Sequence, residues 1–321
     1  MDNSTAVDRF DTNRFEAGRN RLASLAYRML GSAADAEDAV QDAFLHWQAA
    51  DRQQIKAPEA WLTKVVTNLC LDKLRSAHTR RERTAGAWLP EPLLAGDPML
   101  GPADTFEQRE SVSLAMLTLM ERLTPLERAV YLLREAFSYH HAEIADILDI
   151  TDSASQQHLH RARHRITAER RRSGGEVDPA SARRIVEEFL AAASSGRTER
   201  LVALLTDDAI AVSDSNLAGL AEKLLRYDTP QRIAAIARAG FKPAPAKRRL
   251  AGGPPAAHYA VVNGAPAILF VLADRVVGSV TFDIADGRIA TVRGIAAPTR
   301  LARLTQAWRL QEPDTPLITR W

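Results

Sequence analysis

The sequence predicts a multidomain chain in which two all-α domains are followed by an α+β domain with a curved antiparallel sheet. Three observations carry this expectation. Apolar residues recur at helical spacing over 14–76 and again over 106–172, prolines and glycines cluster between those stretches, and beyond 256 short β-type runs alternate with turn dipeptides.

Leu22, Leu25, Ala26, Met29 and Leu30 form one helical stripe, Gly31 ends it, and Ser32 with Asp35 signals the start of a second helix. Pro58 opens a third, running to about His78. From Ala77 to Pro102 the periodicity fades, with prolines at 90, 92, 98 and 102 and glycines at 86, 96 and 101, which predicts a partly extended linker. Thr124-Pro125-Leu126-Glu127 spells a capping box with proline at the first helical position. A short helix around 142–148, a turn at 149–152 and a helix from Ser153 to about Arg170 have the layout of a helix-turn-helix, with Leu159, Ala162 and Ile166 facing inward. Ser173-Gly174-Gly175 marks a boundary. Beyond it helices are predicted at 179–194 and 197–205. Strands follow at 258–262, 267–272, 276–284 and 288–295, joined by Asn263-Gly264, Ala273-Asp274 and Asp286-Gly287.

Composition limits the function. A chain of 321 residues, 46% apolar and 26% charged, exceeds one ordinary compact unit. Its net charge of +2 hides an uneven layout, acidic over 35–42 and arginine-rich over 75–83 and 161–172. Such asymmetry suits a protein that meets both a protein surface and nucleic acid. Cys70 is the single cysteine, which excludes an intramolecular disulfide and a cysteine-based zinc site and points to a reduced, cytoplasmic setting. Residues 1–9 are polar, and no run approaches the roughly 20 apolar residues that span a bilayer, so no membrane partner is expected.

Three segments carry recognition chemistry. The helix after Ser32 sets Asp35, Asp38, Gln41 and Asp42 with Phe44 and Trp47 on one broad acidic and aromatic surface, suited to a basic partner helix. The helix after Pro58 carries Trp61 and Lys64, then Asn68, Asp72 and Arg75 on one face. Amide and guanidinium groups read base edges, while Lys73, Arg80, Arg81 and Arg83 can pair with phosphates. Gln156, Gln157, His160 and Arg161 lie on the outward part of the last helix of the helix-turn-helix, where a recognition helix meets the major groove. His160 and His164 have ligand spacing but no third ligand, so no metal and no cofactor are expected. Asp207, Asp208, Asp214, His258 and Asp283 are conceivable acid/base groups without a recognisable catalytic spacing, and no catalytic residue is assigned.

In this order the three segments resemble the extracytoplasmic-function class of the sigma-70 family. The stretch Asp35-Ala36-Glu37-Asp38-Ala39-Val40-Gln41-Asp42-Ala43-Phe44 is similar to the core-binding region 2.2. The run from Trp61 to Arg75 is similar to regions 2.3 and 2.4, and Leu123-Thr124-Pro125-Leu126-Glu127-Arg128 through His160-Arg161-Ala162-Arg163 to region 4. The resemblance implies sigma region 2 at 8–80, a linker at 81–105, region 4 at 106–172 and a further domain at 176–321. It implies core-polymerase contacts through Asp35, Asp38, Gln41, Asp42, Phe44 and Trp47 with the β′ and β subunits. It implies promoter contacts to the −10 element through Trp61, Lys64, Asn68, Asp72 and Arg75, with a flipped base received around Lys56 to Trp61 together with Asn68. The −35 element falls to Gln156, Gln157, His160 and Arg161.

The remainder resembles the subgroup of these factors that carries a SnoaL-like domain of the NTF2-like fold. Trp88-Leu89-Pro90-Glu91-Pro92 matches a linker signature of that subgroup, and Asp286-Gly287-Arg288-Ile289 the end of its sheet. Ser215-Asn216-Leu217-Ala218-Gly219 and Ala297-Pro298-Thr299-Arg300-Leu301 replace two other subgroup motifs, and Asp149 stands where region 4 often has glycine. The implied function is promoter-directed transcription initiation, modulated by the C-terminal domain, with polymerase core, promoter DNA and an unidentified small ligand of that domain as partners. A helix-turn-helix regulator that never binds polymerase, and a SnoaL-like enzyme fused to a DNA-binding module, are the alternatives.

Overall fold

The computed structural model describes residues 3–81, 89–101, 106–170, 177–214, 224–242, 244–245, 248–249, 252–312 and 314–320. Trp88, Arg83, Ser173 to Gly175, Ser215 to Gly219 and Trp321, and the side chains of Arg80 and Arg81, lie outside the described residues. The chain divides into two compact units. The first comprises 1–85 with 96–168, the second 86–95 with 169–321. The stretch expected as a linker is thus shared between them, and the two helical regions expected as separate domains cluster in one unit.

The first unit starts with α1 (Asn3–Leu30), α2 (Ala33–Ala49) and α3 (Pro58–Arg81). Gly31 breaks the first helix in the left-handed region at φ 64°, and the Ser32 hydroxyl accepts from the Asp35 amide to begin the second. The three helices pack on one another, and Leu25, Ala26 and Met29 of α1, Val40 and Ala43 of α2 and Leu62 and Val66 of α3 are all buried. Then follow α4 (Phe106–Ser111), α5 (Leu114–Met120), α6 (Pro125–Glu135), α7 (His141–Leu148) and α8 (Asp152–Arg170). The capping box at α6 is complete: Thr124 Oγ1 accepts from the Glu127 amide and Glu127 Oε2 from the Thr124 amide.

Two buried arginines tie α1 to the later helices. Arg28, 1% exposed, donates to Ser111 Oγ at 2.8 Å, to the Leu100 carbonyl at 2.9 Å and to the Ser24 hydroxyl. Burial pushes its pKa down to about 10, so it remains protonated at neutral pH. Arg128 donates to the Met29 carbonyl at 2.6 Å and the Met120 carbonyl at 3.0 Å, and pairs with Glu121 at 2.7 Å. Gly101, φ 69°, passes so close to α1 that an added Cβ would collide with Ser24 Oγ.

The second unit contains α9 (Pro179–Ser195), α10 (Thr198–Leu204), β1 (Leu205–Asp214), β2 (Leu224–Tyr227), α11 (Pro230–Phe241) and β3 (Ala256–Val262). The strands β4 (Ala265–Leu272), β5 (Arg275–Ala285) and β6 (Arg288–Ile295) and the helix α12 (Ala302–Arg309) complete it. The sheet order is β2-β1-β6-β5-β4-β3. The expected antiparallel sheet is corrected to a mixed one, because β1 pairs parallel to β6. The hairpin turns fall as expected, with Asn263, Ala273 and Asp286 at positive φ. Phe189 of α9 meets Phe282 at 5.0 Å and Phe241 at 5.6 Å between ring centres, which fixes the helices on the sheet.

Residues 89–95 add to this unit along the edge strand β3. Leu94 pairs antiparallel with Val262. The Asn263 side chain accepts from the Leu93 amide at 2.7 Å, and Ala95 N–H donates to the Val261 carbonyl at 2.9 Å. Leu89, Leu93 and Leu94 are buried, which is worth about 2 kcal/mol each. Ile318 of the tail pairs with Ala257 at the other end of the same strand. The open edge of the sheet is therefore covered at both ends.

Candidate functional site

On α2 the buried stripe is Ala36, Ala39, Val40, Ala43 and Trp47, which leaves Asp35, Asp38, Gln41 and Asp42 on the solvent face. Asp35 and Asp38 each lie 3.5 Å from Lys73 Nζ, so that lysine, expected to meet phosphate, sits beside the acidic patch. Phe44 is half-buried against Phe15, with ring centres 4.8 Å apart. Trp47, expected on the docking surface, is only 3% exposed and lies beside Trp61, with ring centres 5.7 Å apart. The exposed apolar member of the face is Leu45, 52% accessible, a residue whose type gave no signal in the sequence.

At the foot of α3 opens a cleft of about 540 Å³ lined by Asp51, Gln54, Ile55, Lys56, Ala57 and Trp61. Asn68, expected to share this pocket, is not among its lining residues; it lies about two turns along the helix, half-buried. Asp72 and Arg75 are exposed and pair with each other at 3.2 Å. Lys64 is paired with the later helical region. Its ammonium donates to Asp149 Oδ1 at 2.6 Å and to the Asp146 carbonyl at 2.9 Å, at the end of α7. Thr63 meets the Tyr139 hydroxyl at 3.1 Å, and Arg21 donates to the same hydroxyl at 3.0 Å. One face of α1 and α3 is therefore occupied by the later helical region. Asp149 terminates α7 in the left-handed conformation, φ 53°, which aims its carboxylate at Lys64. Cys70 is fully buried and burial raises its thiol pKa, which makes it inert.

In α8 the stripe of Leu159, Ala162 and Ile166 is buried, and the His141 ring nitrogen Nδ1 bonds Ser155 Oγ at 2.8 Å, fixing the angle between α7 and α8. Gln156, Gln157, His160 and Arg161 are all exposed. Gln156 donates to Asp152 Oδ1 at 2.6 Å, one turn back. Arg161 lies 3.4 Å from Glu127, whose other oxygen takes Arg165 at 2.5 Å. Glu127 thus caps α6 and orients two arginines of α8, a double role its place in the capping box did not reveal. Burial first, and then the Arg161 guanidinium, hold His158 below the ordinary histidine range. Among the described residues no group of three or more His, Cys, Asp or Glu side chains could hold a metal ion, and no helix is long and apolar enough to cross a membrane.

The second unit contains a cavity of about 680 Å³, and none of Asp207, Asp208, Asp214, His258 and Asp283 lines it. Asp214 is structural. Its carboxylate accepts from the amides of Ala296 at 2.7 Å and Ala297 at 3.1 Å, clipping the end of β1 to the end of β6. Asp283 is paired with Arg293 at 2.6 Å. The His258 ring bonds the Asp314 carbonyl at 3.2 Å and packs on Trp308; burial holds its pKa below the ordinary value.

Residues 6–81 match the family model Sigma-70 region 2, and residues 113–166 match Sigma-70, region 4. The ECF RNA polymerase sigma factor SigJ of Mycobacterium tuberculosis is 40% identical over 206 residues, which cover 64% of this chain and 65% of that protein. The probable ECF RNA polymerase sigma factor SigI of the same organism is 36% identical over 197 residues, 60% of this chain and 65% of that protein. The chain thus spans just under two thirds of the length of these relatives. The crystal structure of SigJ superposes with a TM-score of 0.67 at 30% identity, covering 91% of this chain and 98% of that one. With its two helical regions and the C-terminal mixed sheet in matching order, this chain belongs to the extracytoplasmic-function class of the sigma-70 family of RNA polymerase sigma factors.

Proposed function

We propose that this chain directs RNA polymerase core to specific promoters in the cytoplasm and starts transcription there. The observation that carries the reading is the cleft bounded by Lys56 and Trp61, which opens beside the helix whose sequence resembles the −10-reading region. A base taken out of the stack gains contacts there that offset unstacking, which costs roughly a few kcal/mol. The acidic face of α2 docks on the β′ subunit and α8 reads the −35 element, with β supporting that second region. Run-off transcription with core polymerase on a randomised promoter library tests the reading: transcripts sharing two short elements at fixed spacing are expected, and their absence would sink it.

The contact of Lys64 with Asp149 supports a second step in the same reading, in which the two helical regions separate before promoter DNA reaches α3. An exposed ion pair contributes about 0.2–1 kcal/mol. Asp149→Ala is therefore expected to raise affinity for single-stranded −10 DNA by up to about fivefold, measured by fluorescence anisotropy; unchanged affinity would place Lys64 outside the DNA path.

The second unit modulates this activity and performs no turnover. Its hold on residues 89–95 is the lever. Leu93→Asp is expected to change promoter-dependent transcription several-fold, and equal output from the variant would detach the lever from function.

A further inference from the structure

The cavity of the second unit has the build of a ligand site rather than of a packing flaw. At about 680 Å³ it lies in the range of small-molecule pockets. Its depth is apolar, formed by Phe189, Phe270, Val280 and Val292. The space is kept open by residues without bulk. Gly278 and Gly294 lie on adjacent strands, and at 294 an added Cβ would stand 2.9 Å from Ser213 Oγ, so a larger residue there would push into the lining. The mouth is bounded by Ile236, exposed to 40%, and by the exposed face of α12 at Ala302, Gln306 and Arg309.

Charge at the mouth is one-sided. Arg275 and Arg309 line the cavity, and no Asp, Glu, His or Cys does so among the described residues. Arg309 is already matched by Asp274 at 2.7 Å, whereas no described residue pairs with Arg275. One unmatched guanidinium at the entrance of an apolar chamber fits a single planar anion, since the guanidinium fork takes a carboxylate through two parallel hydrogen bonds. Tyr227 and Ser213 add hydroxyl groups on the lining for a second polar point.

We propose that this cavity binds a small amphipathic monocarboxylic acid, its apolar body among the phenylalanines and its carboxylate on Arg275. The site is independent of promoter reading, so its test needs neither polymerase nor DNA and fails or succeeds separately from the sigma assignment. Dodecanoate, dodecanol and dodecyltrimethylammonium, kept below their aggregation limits, serve as probes for the full chain in titration calorimetry. Saturable one-to-one binding of dodecanoate is expected, at least fivefold tighter than dodecanol, with no binding of the cationic probe. Arg275→Gln is expected to abolish the preference for the acid over the alcohol. Ile236→Trp, a substitution at an exposed rim position that leaves the core intact, is expected to weaken both probes at least tenfold. Equal binding of acid and alcohol, an undiminished acid preference in Arg275→Gln, unchanged binding in Ile236→Trp, or no binding of dodecanoate would each overturn the proposal.

Discussion

Replacing Arg28 by Ala is expected to cost the first unit about 3–4 kcal/mol, the largest stability loss anticipated for any single side chain described above. The guanidinium, 1% exposed, satisfies Ser24, Ser111 and the Leu100 carbonyl, and it lies 5.4 Å from the centre of the Phe137 ring. Truncation leaves a cavity and several buried polar atoms without a partner. For a unit of this size the loss corresponds to a fall in melting temperature of roughly 10 °C, measurable by calorimetry. Arg28→Lys keeps the charge but cannot reach all three partners, and an intermediate fall is expected. A variant melting within about 1 °C of the parent would show that the network is dispensable.

Reversal of charge at Asp38 is the functional counterpart. Asp38 is exposed and shares Lys73 with Asp35, so Asp38→Lys removes an acceptor from a basic partner and sets a second cation beside Lys73. A central charged contact in a protein interface costs about 2 kcal/mol or more when reversed, which is at least 30-fold in affinity for polymerase core. Folding stability should change by only about 0.5 kcal/mol, as for surface substitutions in general. A core titration in which Asp38→Lys matched the parent would remove α2 from the interface.

The parts legible in the sequence are those written in local chemistry. Gly31 with Ser32, the Thr124 capping box, the buried stripe of α8 and the turns at Asn263, Ala273 and Asp286 each depend on neighbours a few residues away. The stretch 206–255 shows no clear period, which hides β1, β2 and α11; β1 owes its place to parallel pairing with β6 far along the chain. In the candidate site, periodicity puts Asp35 and Asp38 correctly on the surface. It cannot tell that Trp47 turns toward Trp61. Lys64 is legible as a cation near DNA-reading residues, but its partner Asp149 lies 85 residues away, beyond any pattern of spacing.

The same distance problem has a consequence in time. Leu93 docks on Asn263, 170 residues later in the chain, while the first unit is built from sequence on both sides of this segment. During synthesis at about 5–20 residues per second, Leu89, Leu93 and Leu94 emerge roughly 10–30 s before the strand that shelters them exists. For that interval the nascent protein carries a leucine-rich extended stretch between two helical regions that are free to collapse around it. The order of emergence therefore makes the middle of the chain, rather than either end, the segment most in need of chaperone cover, and slowed translation between residues 95 and 262 should lower the soluble yield.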